Sequence, residues 1–289
     1  MRHYPMGNAP RNRKCAACSI SGRESVGNVL LKAAVVALIA STVVAQAAAC
    51  PRPDKGGTAR VLTVDPAAYP RVGLQSFAQT LPLQDREVVL TFDDGPNPAT
   101  TSRILDALKA ECMQATFFLI GQNAVAHPAL VKRIAAEGHS IGHHSFAHPN
   151  LGLVSHAEAV AQIDRGISAD ELALNGRATT VPTTPFFRFP YFQSTPALLD
   201  VLQSRGIAVF GADFWASDWN KMTPGQELAL VTGRLQHAGR GIVLFHDIKE
   251  QTAAMMPDFL RYLRENQYRV VHVVGPAPAR QTAAPVPPK

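Results

Sequence analysis

Two histidines four residues apart, His144 and His148 in HSFAH, are the first residues whose type and spacing could do chemistry. On a helical turn an i, i+4 pair lies on one side, so both imidazoles could reach a single ion. One aspartate would complete a two-histidine, one-carboxylate set that leaves coordination positions for water and substrate. Asp94, in the adjacent pair Asp93 and Asp94 of TFDDGP, is the candidate. Taken alone, an H-x-x-x-H spacing fits two packing histidines better than a metal site, and DDGP fits a solvated turn. The two acids nevertheless terminate the apolar run VVLTF, where an unpaired charge is costly. A metal and an arginine would account for both charges.

Positioning such residues requires a scaffold, and a regular rhythm begins at Glu87. Apolar runs at 88–92, 115–121, 140–143, 186–189, 207–211, 242–245 and 269–274 read as seven strands. Between them lie six helical stretches near 98–108, 128–138, 155–174, 195–206, 223–237 and 255–266; Pro128 opens the second and Gly138 closes it. Near-continuous apolar strands, each followed by a helix, predict an α/β fold with a parallel sheet buried on both faces. Seven such units suit a distorted, incomplete (β/α) barrel better than an open doubly wound sheet, although rhythm alone does not decide between them. The polar residues then fall into a pattern. Asp93 and Asp94 follow the first strand, His144 and His148 the third, Arg188 sits in the fourth, Asp213 and Asp218 follow the fifth, and His246 and Asp247 end the sixth. That is the strand end at which parallel α/β barrels build active sites.

With 289 residues, 46% of them hydrophobic, the chain can bury a full core. Its formal charge of +6 is concentrated at the start: residues 1–50 carry six Lys or Arg against one acid, leaving 22 against 21 from Pro51 onward. The balanced remainder gives no basic patch for nucleic acid. The apolar run Ala33–Ala45, preceded by basic residues and followed by AQAAAC, has the order of an export signal and is short for a membrane span. An uncleaved N-terminal anchor, or lipidation of Cys50, are the alternatives; each predicts an exported product in the periplasm, cell envelope or medium. Cys15 and Cys18 would leave with the leader, and Cys112 reads as a small buried hydrophobe. Residues 51–84 read as a linker or surface strap, 85–275 as one catalytic domain, and 276–289 as a Pro-rich tail.

Five segments carry a resemblance. TFDDGP (91–96), HSFAH (144–148), RFPY (188–191), DFWASDW (213–219) and LFH (244–246) stand in the order of the five motifs of the polysaccharide deacetylases. These are carbohydrate esterases of family 4, which include nodulation-type chitooligosaccharide deacetylases, chitin deacetylases and peptidoglycan N-acetylglucosamine deacetylases. The resemblance covers about residues 85–275 and implies a divalent metal, usually zinc, sometimes cobalt or nickel.

It also implies roles. Asp94 would join His144 and His148 as metal ligands, and Asp93 would be the general base, kept ionised by the Arg188 guanidinium. The metal would acidify the attacking water. The backbone N–H of Tyr191 would stabilise the oxyanion, a donor worth ~3 kcal/mol. An amine cannot leave as an anion, so His246 would protonate it, with Asp218 supporting the imidazolium. Trp219 and Leu244 match positions that line an acetyl-methyl pocket, ordinary core packing being the alternative for both. His127, His139, His143, His156, His237 and His272 have no such role; Asp213 is structural, and Asp247 orients the acid or caps the next helix.

The expected activity is therefore metal-dependent removal of N-acetyl groups from N-acetylglucosamine-containing glycans. An O-acetyl xylan-type esterase or a small-molecule amidohydrolase would keep the metal and change the bond. A non-catalytic glycan-binding module would have lost Asp93 or a ligand, and here none is lost.

Overall fold

The computed structural model describes residues 57–277; the leader with Cys50 and most of the Pro-rich tail lie outside the described residues. All seven expected strands form. They are β3 (Glu87–Asp93), β4 (Thr116–Leu119), β5 (Ser140–His143), β6 (Phe186–Phe187), β7 (Ala208–Phe210), β9 (Gly241–His246) and β10 (Arg269–Val274). Three further strands have no sequence period to mark them: β1 (Thr58–Thr63), β2 (Arg71–Val72) and β8 (Phe214–Trp215). The first two fall in the stretch expected as a linker or strap, where they extend the sheet: β1 pairs with β10 and β2 with β7.

Every strand pairing is parallel. Seven strands run β7-β6-β5-β4-β3-β9-β8, and β10 joins the start of β3. Although β8 follows β7 in the chain, it pairs with β9, so among the described residues the wall stays open between β7 and β8. The result is a distorted, incomplete (β/α) barrel. Helices α1 (Thr101–Ala110), α2 (Gly121–Ala126), α3 (Pro128–Ala136), α4 (His156–Asn175), α5 (Pro196–Ser204), α6 (Pro224–Ala238) and α7 (Glu250–Glu265) occupy the connections. α2 is an addition to the expected set. α7 begins at Glu250 rather than near 255 and runs through Pro257, carried by buried Thr252, Ala253, Met255, Met256 and Phe259. No helix among the described residues is long and apolar enough to cross a membrane.

Strand alternation separates an inner core from outer packing, and the outer packing forms two clusters, one of them built on Ile163, Ile167, Phe187, Leu198 and Leu202. On β3, Val88, Leu90 and Phe92 pack outward against α1 and α7, together with Phe245 of β9. The alternate residues face inward: Val89 and Ile242 pack with Phe118, Phe186 and Phe210 in the interior. Continuing that inner face by two and four residues brings Thr91 and Asp93 on β3, and Leu244 and His246 on β9, to the open C-terminal end. Cys112 differs from its expected role: it is half-buried and disulfide-bonded.

Candidate active site

A cleft of about 630 Å³ opens at that end, lined by Asp93, Asp94, His144, His148, Tyr191, Trp219, Leu244 and His246 among others. Asp93 is the last residue of β3, and Asp94 turns out of the strand with φ of 77°, a left-handed conformation uncommon for a residue with a Cβ. The Asn123 side chain donates to the Asp94 carbonyl at 2.8 Å and holds this turn.

His144 and His148 both face the cleft, but not from a helical turn. Residues 144–150 form a loop in which Ser145 and His148 have φ of 64° and 58°. The His148 N–H donates to Ser145 Oγ at 3.1 Å, and Pro149 follows, so a side-chain-closed turn replaces the helix. Gly121 and Gln122 donate backbone N–H groups to the Ser145 and Phe146 carbonyls, and Ala147 donates to Gln162. The loop is thereby fixed from α2 and α4.

His144 Nε2 lies 3.5 Å and His148 Nε2 3.3 Å from Asp94 Oδ1. The three ligand atoms fall within 4.8 Å of one another, a group that could hold a metal ion. Asp94 Oδ1 is buried without a hydrogen-bond donor, and an acceptor in that state is costly unless a cation satisfies it. His144 Nδ1 lies 2.7 Å from the Arg188 carbonyl; a carbonyl only accepts, so Nδ1 carries the proton and Nε2 presents its lone pair. Burial pushes the His144 pKa down to about 3, so the ring stays neutral, as a ligand must.

Arg188 is completely buried. It donates to Asp93 Oδ1 at 2.7 Å, to Thr91 Oγ1, and to the Phe210 and Gly211 carbonyls, with its guanidinium over the Phe118 ring. Burial raises the Asp93 pKa; the charges of Arg188, His246 and His148 oppose the rise. Asp93 Oδ2 is left facing the cleft, 3.8 Å from His144 Nε2.

One strand over, at the end of β9, His246 Nδ1 lies 2.7 Å from Asp218 Oδ1, and the His246 backbone N–H donates to Asp218 Oδ2. Burial alone would lower the imidazole, but the hydrogen bond and charge of Asp218, with Asp94 and Asp93 beyond, raise it to about 9. This ring holds a proton at neutral pH. Trp219 meets the His246 ring edge-on at 5.9 Å and is half exposed; Tyr191, 61% exposed, meets His148 at 4.7 Å. Leu244 is buried at the cleft floor.

Other residues fall outside the cleft. His143 pairs with buried Asp170 on α4 at 2.7 Å, His139 accepts from the Ala115 N–H, and His272 contacts Ser140. Asp213 accepts from Leu74, Thr80 and Ile242, a structural role. Asp247 caps nothing on α7; it accepts from Thr101 Oγ1 at 2.6 Å and so braces the loop after Asp94. Sequence reasoning missed Phe189, Phe192, Trp215 and Lys249, which also line the cleft. Phe192 and Trp215 adjoin or fall within motif segments and stack at 6.0 Å, so an aromatic count around those motifs would have found them.

An open α/β barrel with an aspartate, two histidines and a separate histidine–aspartate pair at its C-terminal end defines a hydrolase-like scaffold, and comparison gives it a family. Residues 81–210 match the family model "Polysaccharide deacetylase". A chitooligosaccharide deacetylase of Rhizobium leguminosarum bv. trifolii is 36% identical over 167 residues, 56% of this chain and 72% of that protein. A peptidoglycan-N-acetylglucosamine deacetylase of Bacillus cereus is 47% identical over 116 residues, 40% of each chain. Among solved structures, the Bdellovibrio bacteriovorus peptidoglycan deacetylase Bd3279 is 34% identical with a TM-score of 0.67, covering 76% of this chain and 60% of that one. The chain belongs to the polysaccharide deacetylase family. It spans only about 40% of the length of that Bacillus cereus relative.

Proposed function

We propose that this protein is a metal-dependent hydrolase that removes N-acetyl groups from N-acetylglucosamine-containing glycans of chitooligosaccharide or peptidoglycan type. The observation that carries the reading is the convergence on one cleft of an acceptor-rich Asp94, His144 and His148 group, a buried base and a protonated histidine. Asp94, His144 and His148 would hold the ion, and this two-nitrogen, one-oxygen donor set suits Zn²⁺, with Co²⁺ and Ni²⁺ as alternatives. When bound, the ion supplies Lewis acidity to the acetyl carbonyl and the attacking water.

The side chains do the rest. Asp93 accepts the proton of the attacking water at Oδ2, while Arg188 keeps Oδ1 and the carboxylate charge in place. By the family resemblance, the Tyr191 backbone N–H would donate to the developing oxyanion. His246 Nε2 donates its proton to the amine nitrogen as the C–N bond breaks, and Asp218 holds the ring and stabilises its charge. Trp219 and Leu244 enclose the acetyl methyl, and exposed Tyr191 offers a face on which a sugar ring can stack.

An O-acetyl xylan-type esterase or a small-molecule amidohydrolase would use the same ion. The imidazole raised to about 9 favours an amide, because an amine leaving group needs the acid that an alcohol largely does not. The retained Asp93 and ligand set argue against a purely glycan-binding module. An exported location is supported by the signal-like leader and by the disulfide at Cys112, which belongs to an oxidising compartment. Nucleic acid is not a partner in this reading, and any membrane contact is through the N-terminal segment; lipidation of Cys50, which removes all that precedes it, would leave no cysteine of this chain to pair with Cys112.

The test is free acetate released by the purified protein from acetylated chitooligosaccharides and from peptidoglycan, with chelator and with added zinc or cobalt. Chelator should abolish release and the ions restore it. Release indifferent to both, or none from either glycan, would overturn the reading.

A further inference from the structure

Behind Asp218 lies a second buried acid that no catalytic step above uses. Glu227, in the first turn of α6, is fully buried, and so is Thr252 of α7. Thr252 Oγ1 lies 2.8 Å from Glu227 Oε1 and 2.9 Å from Asp218 Oδ2. A hydroxyl has one proton and can donate to only one of these oxygens. The other contact holds only if that carboxyl is itself the donor. Asp218 is committed as an acceptor, taking the His246 backbone N–H on Oδ2 and the protonated ring nitrogen near Oδ1. That leaves Glu227.

We propose that Glu227 is a positioning residue for His246: as a neutral acid it donates to Thr252 Oγ1, which donates to Asp218 Oδ2. The polarity of the chain is one-way, from Glu227 through Thr252 and Asp218 to the imidazole. A donor on Oδ2 stabilises the charged form of Asp218, so the shared proton stays on His246, where the leaving group can take it. An ionised Glu227 would turn the hydroxyl toward itself and strip that donor from Asp218.

Two observations agree with a neutral Glu227. Its second oxygen, Oε2, is buried without a partner, which a carboxylic acid's carbonyl tolerates better than a carboxylate does. Burial also raises its pKa to about 7, with Asp218 adding to the rise and Thr252 and His246 opposing it. The charged groups that face Glu227 are Asp218, from the segment after β8, and His246, at the end of β9; α7 presents the neutral Thr252. On α6 itself Arg234 is occupied with the Trp215 carbonyl and Ser217 Oγ.

The inference rests on His246 acting as the acid, and its test does not. In the full protein with ¹³C-carboxyl-labelled glutamate, the signal lost in Glu227→Gln identifies Glu227; it should titrate near or above neutral pH. Titration in the ordinary glutamate range, well below pH 6, overturns the proposal. In kinetics, Glu227→Gln keeps a donor to Thr252 and should hold kcat on an acetylated glycan at pH 7, whereas Glu227→Leu should lower it on the order of tenfold, the size of one hydrogen bond. Wild type should lose rate as Glu227 ionises, and the Gln variant should lack that step. A Gln variant as impaired as the Leu variant, or with an unchanged pH profile, overturns the relay. The carboxyl titration needs neither ion nor substrate, so a failure of the deacetylase reading cannot imitate a failure of this one.

Discussion

Asp93 and His246 are register partners: the last residue of β3 lies opposite the last residue of β9 in a parallel ladder. Neighbouring strands stand ~4.8 Å apart, so the ladder sets the spacing of the proposed base and acid without help from loops. Both side chains line the cleft, one backed by Arg188 and the other by Asp218.

This arrangement separates two kinds of variant. Asp94→Ala and His148→Ala should each lose bound metal, measured by elemental analysis after dialysis. Asp93→Asn should keep the metal and lower kcat by ~10²–10⁴, the usual loss for a general base. Equal metal loss in all three would contradict the division of roles.

The need for an acid depends on the leaving group. His246→Ala should lower the rate on N-acetyl substrates by ~10²–10⁴ and the rate on an activated acetyl ester far less. Parallel assays on the two substrates read the difference directly. Equal losses would remove His246 from the acid role.

The pH dependence has a worked sign. His246 must be protonated to act, and its pKa of about 9 places the main loss of activity on the alkaline side, as pH rises through 9, beyond the smaller step expected near 7 from Glu227. Asp93 must be ionised, so activity also falls at low pH as that carboxylate gains its proton. Asp218→Asn removes the hydrogen-bonded charge that raises His246, and the alkaline limb of kcat/KM should move down toward the ordinary 6.5 or below it, since burial then acts unopposed. A limb that stays at 9 in this variant would assign it to another group.

Arg188 is tested through stability. Replacing it with Ala leaves the Asp93 carboxylate buried without its cation, a loss of about 3–5 kcal/mol for a broken buried pair. Denaturant unfolding at neutral pH measures it. A loss under ~1 kcal/mol would mean that solvent reaches Asp93.

Gly166 tests how the histidine loop is held. A Cβ there would stand 2.6 Å from the Ser145 carbonyl carbon, between α4 and the loop that carries His144 and His148. Alanine gains about 1 kcal/mol of helix propensity over glycine, but overpacking against backbone costs about 1–3 kcal/mol. The net expectation for Gly166→Ala is lower thermal stability together with weaker metal retention. A more stable variant with normal metal content would show that the loop gives way freely.

The amino-acid sequence by itself determined the repeating strands and helices, because runs such as VVLTF and ATFFLIG carry a burial pattern that is local and periodic. It also determined which residues stand at the strand ends, since Asp93, His144, Arg188 and His246 are fixed by where each apolar run stops. Tertiary structure alone decided the rest. β1, β2 and β8 exist only because an edge of the sheet offers them partners, and short segments without a period leave no trace of that. HSFAH became a loop rather than a helical turn because Ser145 closes on the His148 N–H and α2 and α4 supply the remaining donors and acceptors. Asp218, Thr252 and Glu227 come from three separate segments, and their hydrogen-bond polarity depends on burial and on who else donates, quantities set by the packed neighbours and by no single stretch of chain.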